Sequence, residues 1–198
     1  MRRIAAVGLM LVVGSASGWA EETTHPQASE QQVNELIAQY TLLIQASQIP
    51  KAISAAEQAL AAAEEVYGAG HQHVAQVLND LGYMHQRQNE FAQAEQLHRR
   101  ALTIRERALP PDDAAMAQSL NNLGKAYAAQ GRSAEAAAAY QRSLALTERH
   151  VAPNAPYLIT VLEPYERALR TQGKTKEADA VALRIQAIRG SLQQPAKP

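Results

Sequence analysis

Apolar residues recur along this chain with the spacing of one face of an α-helix. Leu78 and Leu81 lie three residues apart and are followed by Gly82. That spacing places both leucines on the same helix face, and the glycine lets a second helix come close. The same pattern returns 42 residues later, as Leu120, Leu123 and Gly124. A fixed period of this length indicates a structure built from repeated units.

The register extends over almost the whole chain in four copies. The leading leucine recurs as Leu36, Leu78, Leu120 and Leu162. Residues that favour turns follow it at Ser47, Asn89, Gly131 and Gly173. A small residue comes next at Ala52, Ala94, Ala136 and Ala178. Each copy therefore predicts two helices joined by a tight turn.

The predicted helices follow from these signals and from the Gly-rich and Pro-rich breaks between copies. The first helices are predicted at 30–46, 73–88, 113–130 and 156–172. The second helices are predicted at 50–66, 91–107, 133–149 and 175–189. Ser29 followed by Gln32 is typical of a capping box and starts the first helix. No segment alternates with a period of two, so we expect an all-α solenoid of eight helices and no sheet.

The third copy carries the residues of a known motif. They are Leu120, Leu123, Gly124, Tyr127, Ala136 and Tyr140. This set resembles the tetratricopeptide repeat. The 42-residue spacing resembles the kinesin-light-chain type of that repeat, as does the linker of Gly70, His71, Val74 and Ala75. The resemblance implies a helix-turn-helix solenoid whose first helices line a concave surface, with atypical terminal copies.

The first twenty residues resemble a secretory signal. A basic start at Arg2 and Arg3 precedes a short apolar run over 4–13, and Gly18 and Ala20 are the small residues that a signal peptidase requires. An uncleaved anchor is the alternative, although the run is shorter than the roughly 20 residues of a membrane span. We therefore expect a periplasmic or secreted bacterial protein with no integral membrane span after signal removal. The predicted organisation is a signal peptide at 1–20, a flexible leader at 21–28, the repeat domain at 29–189 and a disordered tail at 190–198.

Charge and composition narrow the partners. Without residues 1–20 the chain holds 17 basic and 19 acidic side chains, which argues against nucleic acid as a partner. The chain has no cysteine. Residues 21–74 carry seven acids and one base, whereas residues 159–198 carry seven bases and four acids. One end of the solenoid is therefore acidic and the other is basic.

Polar residues on the first helices avoid the leucine stripe and face away from the core. We predict that they line a groove that binds an extended or helical segment of another cell-envelope protein. The predicted contacts are Asn79, Tyr83, Asn121, Lys125, Arg167 and Arg170. The cations favour an acidic segment at the C-terminal end of the groove. The alternatives for these residues are a solvated surface for the charges and hydrogen bonds between helices for the asparagines.

An enzyme is the second hypothesis. The pair Gly68 and Gly70 lies between helices without a preceding strand, so it does not predict a dinucleotide site. His71 and His73 have the spacing of half a metal site, but a capping or loop role is the more economical interpretation. We expect no catalytic residues, no metal and no cofactor.

A membrane-surface element is the third hypothesis. It rests on four arginines of the second helix in copy two, namely Arg99, Arg100, Arg105 and Arg107. A solvated outer face explains the same arginines.

Overall fold

The computed structural model describes residues 28–193, and these form eight α-helices and one short 3₁₀ turn. The helices are α1 (Glu30–Gln45), α2 (Ile49–Tyr67), α3 (Gln72–Arg87), α4 (Phe91–Ala108), α5 (Ala114–Ala129), α6 (Ser133–Thr147), α7 (Ile159–Thr171) and α8 (Thr175–Gln193). Each helix packs against the next one in the chain. The result is a single row of four helix pairs, and the predicted all-α solenoid is confirmed.

Turns inside the pairs adopt the backbone that the sequence register predicts. Ser47 and Asn89 have φ angles of 57° and 63°, and Gly131 and Gly173 have 75° and 73°. Four residues at 42-residue spacing thus occupy the left-handed region that ends helices. The small residue that follows each turn is fully buried in every copy, at Ala52, Ala94, Ala136 and Ala178.

Helix starts are capped by side chains from the linkers. Ser29 accepts a hydrogen bond from the backbone N–H of Gln32 at 3.2 Å, as the capping pattern predicts. Asp113 accepts from the N–H of Ala115 at 2.8 Å. His71 Nδ1 accepts from the N–H of His73 at 3.3 Å. These bonds pair backbone donors that the helices themselves leave free.

Gly82 and Gly124 give each middle copy its close helix contact. A Cβ on Gly82 would stand 2.6 Å from Cε1 of His98, and one on Gly124 would stand 2.6 Å from Cε1 of Tyr140. Both rings come from the second helix of the same copy. The glycine repeated at this register therefore makes room for a ring repeated at the same spacing.

The terminal copies differ from the predicted pattern. Gln39 takes the place of a core leucine in α1 and is exposed, because no described element packs on that side of α1. A 3₁₀ turn over Pro156–Leu158 delays α7 to Ile159, three residues after the predicted start. Helix α8 continues to Gln193, beyond the predicted end at 189. The predicted signal peptide, most of the leader and residues 194–198 lie outside the described residues.

Three ion pairs link successive second helices at the repeat spacing. Arg142 Nη2 binds Glu106 Oε1 at 3.0 Å. The equivalent pairs, 42 residues before and after, are Glu64 with Arg100 and Glu148 with Arg184. The first helices instead approach one another directly, α3 against α5 and α5 against α7. The side of the solenoid formed by α1, α3, α5 and α7 is therefore the inside of its curve, and we call it the inner face.

No helix within residues 28–193 is long and apolar enough to cross a membrane.

Candidate functional site

One row of side chains runs along the inner face from copy to copy. Its members share one register and are all exposed: Thr41, Tyr83, Lys125 and Arg167. We call them the inner row. Three of the six predicted contacts, Tyr83, Lys125 and Arg167, belong to it. The structure therefore brings half of the predicted site into a single exposed line.

Tyr83 offers an aromatic surface in the middle of the inner row. Its side chain is 37% exposed, and its hydroxyl accepts a hydrogen bond from Arg87 Nη1 at 3.1 Å. The guanidinium of Arg87 also lies 5.9 Å from the centre of the ring. These contacts hold the ring while leaving part of it open to a partner.

Lys125 and Arg167 supply the positive charge of the row. Lys125 Nζ lies 3.4 Å from Asn122 Oδ1, a long hydrogen bond. Desolvation lowers the pKa of Lys125, and the nearby Tyr83 acts in the opposite direction. Arg167 is exposed and forms no ion pair with the side chains that the structure describes. Both cations can therefore accept an incoming carboxylate with little competition.

Asn79 lies below the surface and has a structural role. It is 1% exposed, and its Oδ1 accepts from Asn122 Nδ2 at 3.3 Å and lies 3.2 Å from His98 Nδ1. The predicted direct contact is corrected here, because the amide oxygen is already used between helices. Asn79 fixes the floor beneath the inner row.

Asn121 differs from Asn79 although it has the same register. It is 9% exposed, and its buried Oδ1 has no hydrogen-bond partner among the described residues. A buried amide oxygen without a partner is costly. Asn121 is therefore the one asparagine of the predicted set with an acceptor still to satisfy.

Arg170 is held by acids of its own copy. It binds Glu166 one turn earlier and Asp179 Oδ1 of α8 at 3.1 Å. These bonds raise its pKa further above the usual arginine range. Arg170 thus joins α7 to α8 and has less freedom to meet a partner than Arg167 has.

Sequence reasoning missed the polar residues under the inner row. His98 is fully buried, and burial, with the charges of Lys125 and Arg105, lowers its pKa to about 3. Gln86 Nε2 donates to the backbone oxygen of Asn122 at 2.8 Å. The available signal was the polar pair Asp80 and Asn122, which share one register beside a buried stripe.

A second polar cluster connects the first three copies. Tyr40 donates to Asp80 Oδ2 at 2.8 Å, and Gln76 Nε2 donates to both Asp80 oxygens at 3.1 Å. Arg105 Nη2 donates to Gln76 Oε1 at 3.0 Å. Burial raises the pKa of Asp80, against the hydrogen bonds of Tyr40 and Gln76 that lower it. Because its members bind one another, this cluster stabilises the junctions and leaves little for a ligand.

The predicted alternatives find their residues in other roles. No group of three or more metal-ligating side chains occurs within the described part of the chain. His71 caps α3, and its ring stacks on Tyr67 at 4.9 Å between ring centres. On α4, Arg100 pairs with Glu64, and Arg105 is buried against Ser119. Half of the proposed membrane-binding arginines are thus committed inside the protein.

Comparison with known proteins agrees with this architecture. The family model described as tetratricopeptide repeat matches residues 41–107, 74–149 and 115–189. No curated protein matches the chain. The chain is similar to BtubC (BKLC) from P. vanneervenii, with a TM-score of 0.76 and 22% identity over 84% of this chain and 67% of that one.

Two further solved structures share the fold. A Podosopora anserina protein with nearly identical TPR-like repeats of the kinesin light chain kind has a TM-score of 0.70 and 18% identity, over 87% of this chain and 82% of that one. The MamA protein has a TM-score of 0.62 and 15% identity, over 84% and 79%. At these identities the likeness concerns the fold.

Proposed function

Since this chain belongs to the tetratricopeptide repeat family, we propose that it is an exported scaffold whose inner face binds a segment of another cell-envelope protein. The family fold is typical of scaffolds for protein–protein interaction. The observation that carries the proposal is the inner row, in which Tyr83, Lys125 and Arg167 are exposed at one register on neighbouring helices. Such a row matches a partner that lies along the groove and meets one contact in each copy.

The chemistry of the groove changes from one end to the other. In copy one, Ile37 and Ile44 are half-buried on the inner face of α1. In copies three and four, Lys125 and Arg167 present cations. The partner segment therefore has an apolar part that lies on copy one and an acidic part that lies on copies three and four. Tyr83 lies between the two and can pack on either an apolar or a peptide surface.

Asn121 adds a directional contact to the proposal. Its unpaired Oδ1 accepts a backbone N–H of the bound segment, which also satisfies the buried oxygen. Asn79 and Arg170 are left out of the direct contacts because each already binds groups of the protein itself.

Charge reversal tests the binding surface. The wild type and the Lys125→Glu/Arg167→Glu variant are used in parallel to capture proteins from solubilised envelopes of the native cell. Arg107→Glu, on the exposed part of α4, is the matched control. We expect a wild-type partner that the double variant loses and the control retains. Equal recovery by the double variant would refute the electrostatic groove.

Export has its own test. We propose that the chain is cut after Ala20 and works in the periplasm or outside the cell. The mass and N-terminal sequence of the native protein check this, with Glu21 expected as the first residue. Replacement of Ala20 by Phe should block the cut, because the peptidase accepts only small residues there. A native chain that starts at Met1 in the cytoplasm would refute export.

A further inference from the structure

The C-terminal end of the solenoid carries an open depression between α7 and α8. It has a volume of about 420 Å³, and Glu163, Arg167, Ile185, Gln186 and Arg189 are among its lining residues. At the corresponding place inside the solenoid, the first helix of the following copy packs against the second helix. No described element covers the depression. We propose that α1 of a second copy of this chain packs there, so that chains stack head to tail.

The repeat register gives the first argument. Arg105 of α4 donates from Nη1 to Ser119 Oγ and to the backbone oxygen of Ala115, each at 2.7 Å. Both acceptors belong to α5, the first helix of the following copy. Arg189 lies 84 residues after Arg105, and Glu35 lies 84 residues before Ser119. A second copy that continues the repeat therefore brings Glu35 to Arg189, which replaces an arginine–serine contact with an ion pair.

Leu42 gives the second argument, since it is an exposed leucine on the outer side of α1. Its side chain is 65% exposed. The residues in its register, Met84, Ala126 and Ala168, are all buried. Met84 packs among residues of α2, the second helix of the preceding copy. Stacking on α8 would bury Leu42 in the same way, beside the half-buried Val181.

Charge gives the third argument. Residues 21–74 hold seven acids and one base, and residues 159–198 hold seven bases and four acids. In the depression Glu163 is paired with Arg189, and Glu166 is paired with Arg170. Arg167 has no ion pair among the described side chains. An acidic α1 therefore meets a net positive surface, and opposite charge favours one orientation of the two chains.

This contact is heterologous, since each chain uses one surface at each end. Repetition of such a contact produces open chains rather than a closed dimer. Gln39 and Gln186 make the junction polar, so association is weak and sensitive to salt. The inner face stays free in every chain, so this assembly is independent of the proposed groove binding.

Sedimentation velocity over a series of protein concentrations at low salt tests the proposal. The variants are Glu35→Arg, Arg189→Glu and an equal mixture of the two. In each variant alone, like charges meet at the junction. In the mixture, the new arginine of one chain meets the new glutamate of the other, and the remaining wild-type pair forms at the alternate junctions. Glu57→Arg, on the exposed side of α2, has the same charge change as Glu35→Arg and is the control.

For the wild type and the control, we expect the sedimentation coefficient to rise with concentration and the rise to disappear at high salt. Each single variant should lose the rise, and the mixture should regain it. Since two misfolded proteins would not regain it, the mixture separates lost folding from lost contact. The milder Glu35→Gln variant should lose part of the rise. A wild type that sediments as one species at every concentration, or a mixture that stays unassembled, would overturn head-to-tail stacking.

Discussion

Asn122 donates from Nδ2 to Oδ1 of Asn79 over 3.3 Å, and this bond joins the first helices of copies two and three. Asn79 also lies 3.2 Å from Nδ1 of the buried His98. The exposed inner row thus rests on a floor of amides and a ring that pair with one another. Loss of this floor should affect folding, whereas loss of the row should affect binding.

The two asparagines at one register give a matched comparison. Asn79→Ala removes both bonds and leaves His98 Nδ1 buried without a partner, so it should cost about 1–3 kcal/mol of unfolding free energy. Asn121→Ala removes an oxygen that has no partner, so stability should change little or rise. Urea unfolding of both variants measures the difference. Equal losses would mean that the two amides have the same role.

Leu123 and Lys125 test which side of α5 is inside. Leu123 is buried in the core around Tyr127 and Tyr140, so Leu123→Ala should cost about 2–5 kcal/mol. Lys125→Ala should cost much less, because the lysine is exposed. Thermal melting of both proteins provides the check. Similar losses of melting temperature would contradict the assignment of the two faces.

Gly124 should not accept a larger residue, although alanine normally favours a helix by about 1 kcal/mol. The added Cβ would stand 2.6 Å from the ring of Tyr140, so Gly124→Ala should destabilise the protein. The double variant with Tyr140→Leu should recover part of the loss. Gly70→Ala is the control, because nothing lies within 4 Å of its added Cβ. A Gly124→Ala protein as stable as the wild type would show that α5 and α6 are further apart than described.

His98 should make stability depend on pH. Its pKa falls from 6.5 to about 3 in the folded protein because burial disfavours the charged ring. Between these values the unfolded chain binds a proton that the folded chain does not, so stability falls as pH falls, by about 1.4 kcal/mol per pH unit at most. His98→Phe should flatten this dependence, and Tyr140 shows that a larger ring fits at the same register.

Chemical denaturation at several pH values between 4 and 7 compares the two proteins. The raised pKa of Asp80 acts in the opposite direction, because the folded chain then holds a proton more tightly than the unfolded chain. Asp80 is present in both proteins, so the comparison isolates His98. The same slope in both would contradict a neutral buried histidine.

Much of the fold was predictable from local signals. Glycine, asparagine and serine at the turn register indicated the left-handed residues, and the glycine at Gly124 indicated a close helix contact. These features depend on one residue and its neighbours in sequence. The start of α7 was predicted too early because the pattern does not distinguish a 3₁₀ turn from the first turn of an α-helix.

The site was predicted only in part. Helix periodicity separated Lys125 and Arg167 from the core, and both are exposed. It also gave Asn79 and Asn121 the same role, although one is bonded and the other is not. The difference depends on Asn122 and His98, which reach Asn79 from other helices. Such contacts follow from packing and leave no periodic signal in the sequence.

Site-specific photocrosslinking in the native cell tests binding at the inner face most directly. A photoreactive residue is placed in turn at Tyr83, Lys125 and Arg167, and at Gln141 on the exposed side of α6 as the control. If the inner face is the binding surface, the inner-row positions yield one common partner adduct and Gln141 yields none. An adduct of equal strength at Gln141, or none at any inner-row position, would contradict the proposed function.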